Sequence, residues 1–162
     1  MFFADLAPYD HVRELPGVVH VGWLAVGQPF TRGSVTPGVL DKLRLAERDW
    51  RVCQTRGFHP CELCGQDEED CTAEQRWLAS AEIWLRGSSG IIYSAPTLIV
   101  HYVSEHQYRP PEEFLQAVDA WQPGGDGWDP RAVSERLFEE SSRAMRPTPR
   151  KRARKARSGE RA

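Results

Sequence analysis

Four residues in two short segments have the types and spacing of metal ligands. Cys61 and Cys64 form a Cys-x-x-C pair within RGFHPCELC, and His101 and His106 form a His-x4-His pair within HYVSEH. Two cysteines three positions apart on a tight turn can bind one ion without strain, and the histidine spacing lies in the range of Cys2His2 sites. The pattern predicts a zinc site formed by these four side chains.

The histidine pair sets a condition on the helix that should carry it. At about 100° per residue, positions five apart on a regular helix point roughly 140° away from each other. His101 and His106 can therefore meet one ion only if the helix ends or distorts near the second histidine. Because Pro110-Pro111 forbids continuation of the helix, we expect His101 within it and His106 in its last turn.

Other ligand sets are compatible with the same segments. His59 lies two residues before Cys61 and is an alternative ligand in place of a helix histidine. Cys53 and Cys71 flank the pair and would complete a four-cysteine site, although their uneven spacing is more typical of buried or free thiols. A histidine in LIVHYV can also be a hydrogen-bonded core residue, and His106 can lie on the surface.

Three classes of enzyme use such cysteine pairs, and the surrounding sequence bears on whether this chain belongs to each. PCELC matches half of the zinc deaminase signature, but no upstream His-x-Glu supplies the other half. A redox dithiol is disfavoured because the acidic segment GQDEEDC would raise the pKa of a thiol. A zinc-dependent hydrolase would need an open coordination position and a base such as Glu62, Glu105 or Glu113. The hydrolase is the second interpretation, and no catalytic residue is assigned.

The strands that must position the ligands are indicated by apolar, β-branched segments. Residues 17–27 predict a first strand between glycines, and residues 51–55 predict a short strand that leads into RGFHPCELC. Residues 81–95 alternate around Gly-Ser-Ser-Gly and predict a β-hairpin. The connecting segment GQDEEDCTAEQ is polar and predicted to be a loop.

The helices follow from apolar periodicity and capping residues. Thr36-Pro37 should open an amphipathic helix over residues 37–50. Residues 97–108 predict a buried helix, Pro111 starts another whose first turn is acidic, and Asp129-Pro130 opens a last one. Strands come early and helices late, which predicts an α+β fold: a small antiparallel sheet with a β-hairpin, packed against three or four helices, with one zinc-knuckle loop.

Composition is consistent with one folded domain. A chain of 162 residues with 40% hydrophobic residues can bury a single core, so residues 1–145 are predicted to be one α+β zinc-binding domain. Four cysteines are too few for a disulfide scaffold. With no run of about 18 apolar residues for a membrane span and an acidic start unlike a signal peptide, we expect a cytoplasmic protein.

The C-terminal segment differs from the rest in charge. Residues 146–162 contain eight Lys/Arg against Glu160, a charge of +7, and since the whole chain carries −2, residues 1–145 carry −9. The segment has no Leu, Ile, Val or aromatic residue and is predicted to be disordered. It is either a solubilising extension or a segment that binds nucleic acid without sequence specificity, through phosphates.

Several motifs together resemble an uncharacterised family of small bacterial proteins, a domain of unknown function. The motifs are DLAPY, VGWL, RGFHPCELC, YSAP and HYVSEHQYRPPEEF, within residues 4–121. Cys53 and Cys71 fall outside these motifs, so the resemblance favours the mixed Cys/His set, and it implies no activity. The residues it picks out are His59, Cys61, Cys64, His101, His106, Tyr108, Pro110, Pro111 and Phe114.

The sequence as a whole predicts a domain in which one structural zinc ion joins the loop at residues 56–64 to the helix at residues 97–108. Its expected role is to bind a protein partner. A zinc-dependent hydrolase and a nucleic-acid-associated protein acting through residues 146–162 are the alternatives.

Overall fold

The structure, a computed structural model, describes residues 1–65, 69, 71–125 and 127–145. These residues form a four-stranded mixed sheet and five α-helices, which confirms the α+β class. The strand order across the sheet is β1-β4-β3-β2. The strands are β1 (Val18–His20), β2 (Arg51–Val52), β3 (Glu82–Arg86) and β4 (Ile92–Pro96).

The sheet is mixed rather than wholly antiparallel, which corrects the predicted topology. β3 and β4 form the expected antiparallel hairpin, and β2 pairs antiparallel with β3. β1, however, pairs parallel with β4, with Val18 opposite Ile92. The predicted first strand also ends early, because Gly22 turns the chain with a φ of +73°. A parallel pair needs a long crossover, and the segment that contains α1 provides it.

The helices begin and end close to the predicted positions. Thr36 caps the first by accepting a hydrogen bond from the Val39 amide, and Asp129 caps the last. The second helix was not predicted because its sequence is polar; Thr72 and Gln75 form a capping box at its start. The helices are α1 (Pro37–Asp49), α2 (Ala73–Leu78), α3 (Ile99–His106), α4 (Glu112–Ala120) and α5 (Pro130–Ala144).

The central strand β3 is buried on both faces. Helices α1 and α4 contact it, while α5 packs Phe138 at 6.1 Å from the Trp84 ring. The alternation seen in its sequence therefore does not mark a solvent-facing side, since both Ile83 and Trp84 are inaccessible. Among the described helices, none has the length and apolar character needed to cross a bilayer. The basic segment 146–162 lies outside the described residues.

Candidate metal centre

The cysteine pair lies on a tight turn within residues 56–64, which we call the knuckle. Glu62–Cys64 form a single 3-10 turn, in which the Cys64 amide donates to the Cys61 carbonyl at 3.1 Å. Gly65 ends the turn with a φ of +64°, a left-handed conformation that glycine adopts without steric cost. This turn brings the two sulfur atoms toward the same point.

Hydrogen bonds on both sides hold the knuckle in place. The His59 amide donates to the Ala79 carbonyl at 2.7 Å, which fixes the knuckle to the segment before β3. The Glu62 carboxylate accepts from the amine of Met1 at 2.7 Å and from the amide of Val26 at 3.3 Å. Both oxygens of Glu62 therefore tie the knuckle to the N-terminal part of the chain.

The histidine pair lies where α3 stops. His106 is the last residue of the helix, and Gln107 follows in the left-handed conformation with a φ of +56°. Arg32 donates to the His106 carbonyl at 2.9 Å, and Gly33 donates from its amide to the Gln107 carbonyl at the same distance. The helix ends where the five-residue spacing required it to end, and the two imidazoles converge.

The four predicted ligand side chains come together in one cluster. The Nε2 atoms of His101 and His106 are 3.2 Å apart, and the Sγ atom of Cys64 is 3.2 and 3.4 Å from them. Cys61 Sγ is 3.2 Å from His106 Nε2, and all four donor atoms lie within 4.8 Å of one another. With the usual bond lengths to zinc, neighbouring donors of a tetrahedron are about 3.3–3.8 Å apart. The cluster therefore has dimensions that can hold a metal ion.

The alternative ligands lie elsewhere in the structure. His59 is outside the four-membered cluster, and its ring faces Trp23 at a centroid distance of 6.5 Å. Cys53 lies beside Tyr9 and Glu82, and burial and the nearby Glu82 raise the pKa of its thiol far above the usual range. Cys71 is also outside the cluster. Within the described part of the chain, no four-cysteine set is assembled.

Partial burial favours the uncharged forms of Cys61 and His101. Burial raises the pKa of the Cys61 thiol to about 11. Burial also lowers the pKa of His101, and the nearby His106 acts in the same direction. A bound cation would stabilise the thiolate and displace its proton. The Cys64 side chain is exposed, so the cluster can be reached from solvent.

Asp5 connects three of the motifs noted in the sequence. Its carboxylate accepts from the Gly22 amide and from the Tyr108 hydroxyl, both at 2.8 Å. DLAPY, VGWL and the segment after His106 thus meet at one partly buried point, which supports the histidine end of α3.

Fold and donor set together define a small α+β domain with a candidate Cys2His2 metal centre. The chain belongs to the DUF7919 family, a domain of unknown function, whose sequence model matches residues 1–119. This match confirms the resemblance to a family of unknown function. No curated protein and no solved structure matches the chain.

A second polar cluster, centred on Glu82, was missed by the sequence reasoning. Glu82 is 1% exposed, and its carboxylate accepts hydrogen bonds from four side chains. The available signal was a glutamate in the apolar strand AEIWL, because a carboxylate among buried neighbours must find donors. Its partners could not be identified, since they come from three separate segments: Tyr9 and His11, Trp84, and Ser94.

Proposed function

We propose that Cys61, Cys64, His101 and His106 bind one zinc ion with a structural role, in a module that binds a protein partner. The observation that carries this proposal is the set of short separations between thiol and imidazole donors. Two thiolates with two imidazoles are a donor set that favours zinc over hard cations such as Mg²⁺ and Ca²⁺. Four protein ligands complete a tetrahedral sphere, which is the arrangement of structural zinc sites.

The zinc would connect two elements that are distant in sequence. The knuckle and the end of α3 are otherwise joined to different parts of the chain, the first to Ala79 and Val26 and the second to the Arg32-Gly33 segment. One ion shared between them would fix their relative position. The proposed metal therefore acts as a cross-link within the domain.

The hydrolase alternative has less support from the geometry. A catalytic zinc keeps one coordination position for water, whereas four protein donors converge here. Glu62, the nearest candidate base in sequence, already accepts hydrogen bonds with both carboxylate oxygens. Nucleic-acid binding through residues 146–162 stays a separate proposal.

Metal analysis of the purified full-length chain tests the zinc site. We expect about one zinc per chain by elemental mass spectrometry, and a large loss of zinc in Cys61→Ser and Cys64→Ser. Cys71→Ser is the matched control, because Cys71 lies outside the cluster, and it should keep its zinc. Substituted Co²⁺ should show the absorption of a tetrahedral site with thiolate ligands. Unchanged zinc content in Cys61→Ser would contradict the proposal.

The partner-binding role is supported by an exposed aromatic residue beside the knuckle. Trp77 on α2 is 54% exposed, and its neighbour Arg76 lies over the Phe58 ring of the knuckle at 4.9 Å. Exposed tryptophans are frequent anchors of protein interfaces. A partner recovered by affinity enrichment should bind the purified wild type and Glu74→Ala directly, and bind Trp77→Ala at least tenfold more weakly. Equal affinity of the two variants would refute this role for Trp77.

A further inference from the structure

A cavity of about 210 Å³ lies behind the knuckle. Trp23, Phe58 and Tyr102 are among the residues that line it, and an engineered apolar cavity of about 150 Å³ already binds benzene. The space therefore suits one aromatic ring with a small substituent. The residues at its wall also include His11 and Glu82.

The buried carboxylate at this cavity has an unusually complete set of donors. Glu82 Oε1 accepts from the Tyr9 hydroxyl at 3.1 Å and from His11 Nδ1 at 2.9 Å. Its Oε2 accepts from Trp84 Nε1 at 2.8 Å and from Ser94 Oγ at 2.7 Å. Replacing a buried charge network by apolar residues of similar volume is often neutral for the stability of a protein, or even stabilising. Stability alone therefore does not explain a carboxylate here.

The contact with Glu82 determines which nitrogen of His11 can meet a ligand. A carboxylate only accepts hydrogen bonds, so Nδ1 of the imidazole must carry the proton. In the neutral form of the ring Nε2 then carries the lone pair, and an imidazole oriented in this way by a carboxylate is a common arrangement in binding and catalytic sites. The His11 side chain is 19% exposed and lines the cavity, with its ring 4.7 Å from that of Trp23.

Trp23 supplies a second polar group at the same wall. Its side chain is 5% exposed, and its indole N–H is buried and has no hydrogen-bond partner among the described residues. A buried donor without an acceptor is costly and rare in folded proteins. Because solvent does not reach this nitrogen, a ligand oxygen would accept its hydrogen bond after a small shift of the Trp23 ring.

We propose that this cavity binds a small aromatic molecule that carries one acidic O–H group, a phenol or an aromatic carboxylic acid. The ring lies among Trp23, Phe58 and Tyr102, and the ligand oxygen lies between the Trp23 indole N–H and Nε2 of His11. A phenol donates its hydrogen bond to Nε2. An aromatic acid enters as its carboxylate, and Nε2 takes up one proton from solvent, so that the ligand carboxylate pairs with an imidazolium that Glu82 stabilises.

The site is a binding site rather than one for covalent chemistry at Cys53. Burial and the neighbouring Glu82 keep the pKa of this thiol far above neutrality, and a protonated thiol is a poor nucleophile. The proposal is also independent of the metal. The cavity wall at Thr55 and His59 is held by backbone hydrogen bonds to Ser80 and Ala79, at 2.8 and 2.7 Å.

Nuclear magnetic resonance titration of the full-length chain tests the proposal. Phenol and benzoate, added separately at millimolar concentrations, should produce saturable shifts of the Trp23 indole N–H and the His11 ring nitrogens. Benzylamine has the same ring with a cationic ammonium group and should bind at least tenfold more weakly. No saturable shift with either oxygen-bearing probe would overturn the proposal, and so would equal binding of benzylamine.

Two variants separate the polar anchor from the space for the ring. His11→Gln removes the basic nitrogen and should weaken both probes about tenfold, the effect of one lost hydrogen bond to a charged or strongly polar group. Ala81→Leu fills the cavity that Ala81 lines and should abolish binding, whereas Ala132→Leu on the exposed face of α5 should not. Well-dispersed spectra show that each variant is folded. Unchanged affinity in a folded His11→Gln would refute the role of His11.

Discussion

Removal of the proposed zinc should destabilise the domain strongly, because the ion would close a long loop. Cys64 and His101 are 37 positions apart in the sequence. A cross-link around a loop of this length lowers the entropy of the unfolded chain by an amount worth about 4 kcal/mol at 25 °C. For a domain of this size, this loss corresponds to a fall in Tm of roughly 8–16 °C. This magnitude applies to an ion that binds the folded chain and not the unfolded chain.

Calorimetry with and without a strong chelator measures this effect. The metal-loaded wild type should lose Tm on chelation, and Tm should rise with free zinc concentration because the ion binds the folded state preferentially. Cys64→Ser should start at the lower Tm and show little response to the chelator. Cys71→Ser should respond as the wild type does, since Cys71 is outside the cluster.

Two results would refute the cross-link. The first is a chelator-induced change in Tm of less than about 2 °C, which is far below what loop closure predicts. The second is an equal chelator response in Cys64→Ser, since the effect would then not pass through the cluster. A zinc content of one per chain combined with either result would mean that the ion binds without joining the two segments.

Three other substitutions test the fold away from the metal. Burial raises the pKa of Glu47 to about 7, so the folded state binds more protons than the unfolded state between pH 4.5 and 7, and stability falls as pH rises through this window. Glu47→Gln should flatten that fall in urea denaturation, and an unchanged pH profile would show that the carboxyl is solvated. Gly22→Ala would place its Cβ 3.1 Å from Ile99 and Tyr108, whereas Gly27→Ala, also at positive φ, meets no atom within 4 Å. Thermal unfolding should show a loss of about 1 kcal/mol for Gly27→Ala from backbone strain and at least twice that for Gly22→Ala; equal losses would contradict the close approach.

The four cluster residues could be predicted because each pair is a local pattern. The separation of Cys61 and Cys64 fits one turn, and the five-residue separation of His101 and His106 forced the prediction that the helix ends there. The structure ends α3 at His106. Short-range geometry of this kind depends on the backbone alone, so a single sequence reveals it.

Features that depend on distant segments could not be predicted in the same way. The pairing of β1 with β4 depends on which strands are neighbours after the crossover, and no residue in 17–27 encodes that choice. The Glu82 network joins side chains up to 73 positions apart, such as Tyr9. Helix α2 was missed because its polar sequence lacks an apolar stripe, although Thr72 and Gln75 formed a readable capping box.

The parallel pairing of β1 with β4 also has a consequence for how the chain is made. Val18 pairs with Ile92, 74 positions later, so a ribosome that adds about 5–20 residues per second completes β1 roughly 4–15 s before its partner exists. During that interval the apolar VVHV segment has no sheet to join. The nascent N-terminal region should therefore depend on chaperones until the β3–β4 hairpin emerges, and synthesis that is fast relative to chaperone supply should favour aggregation of this segment.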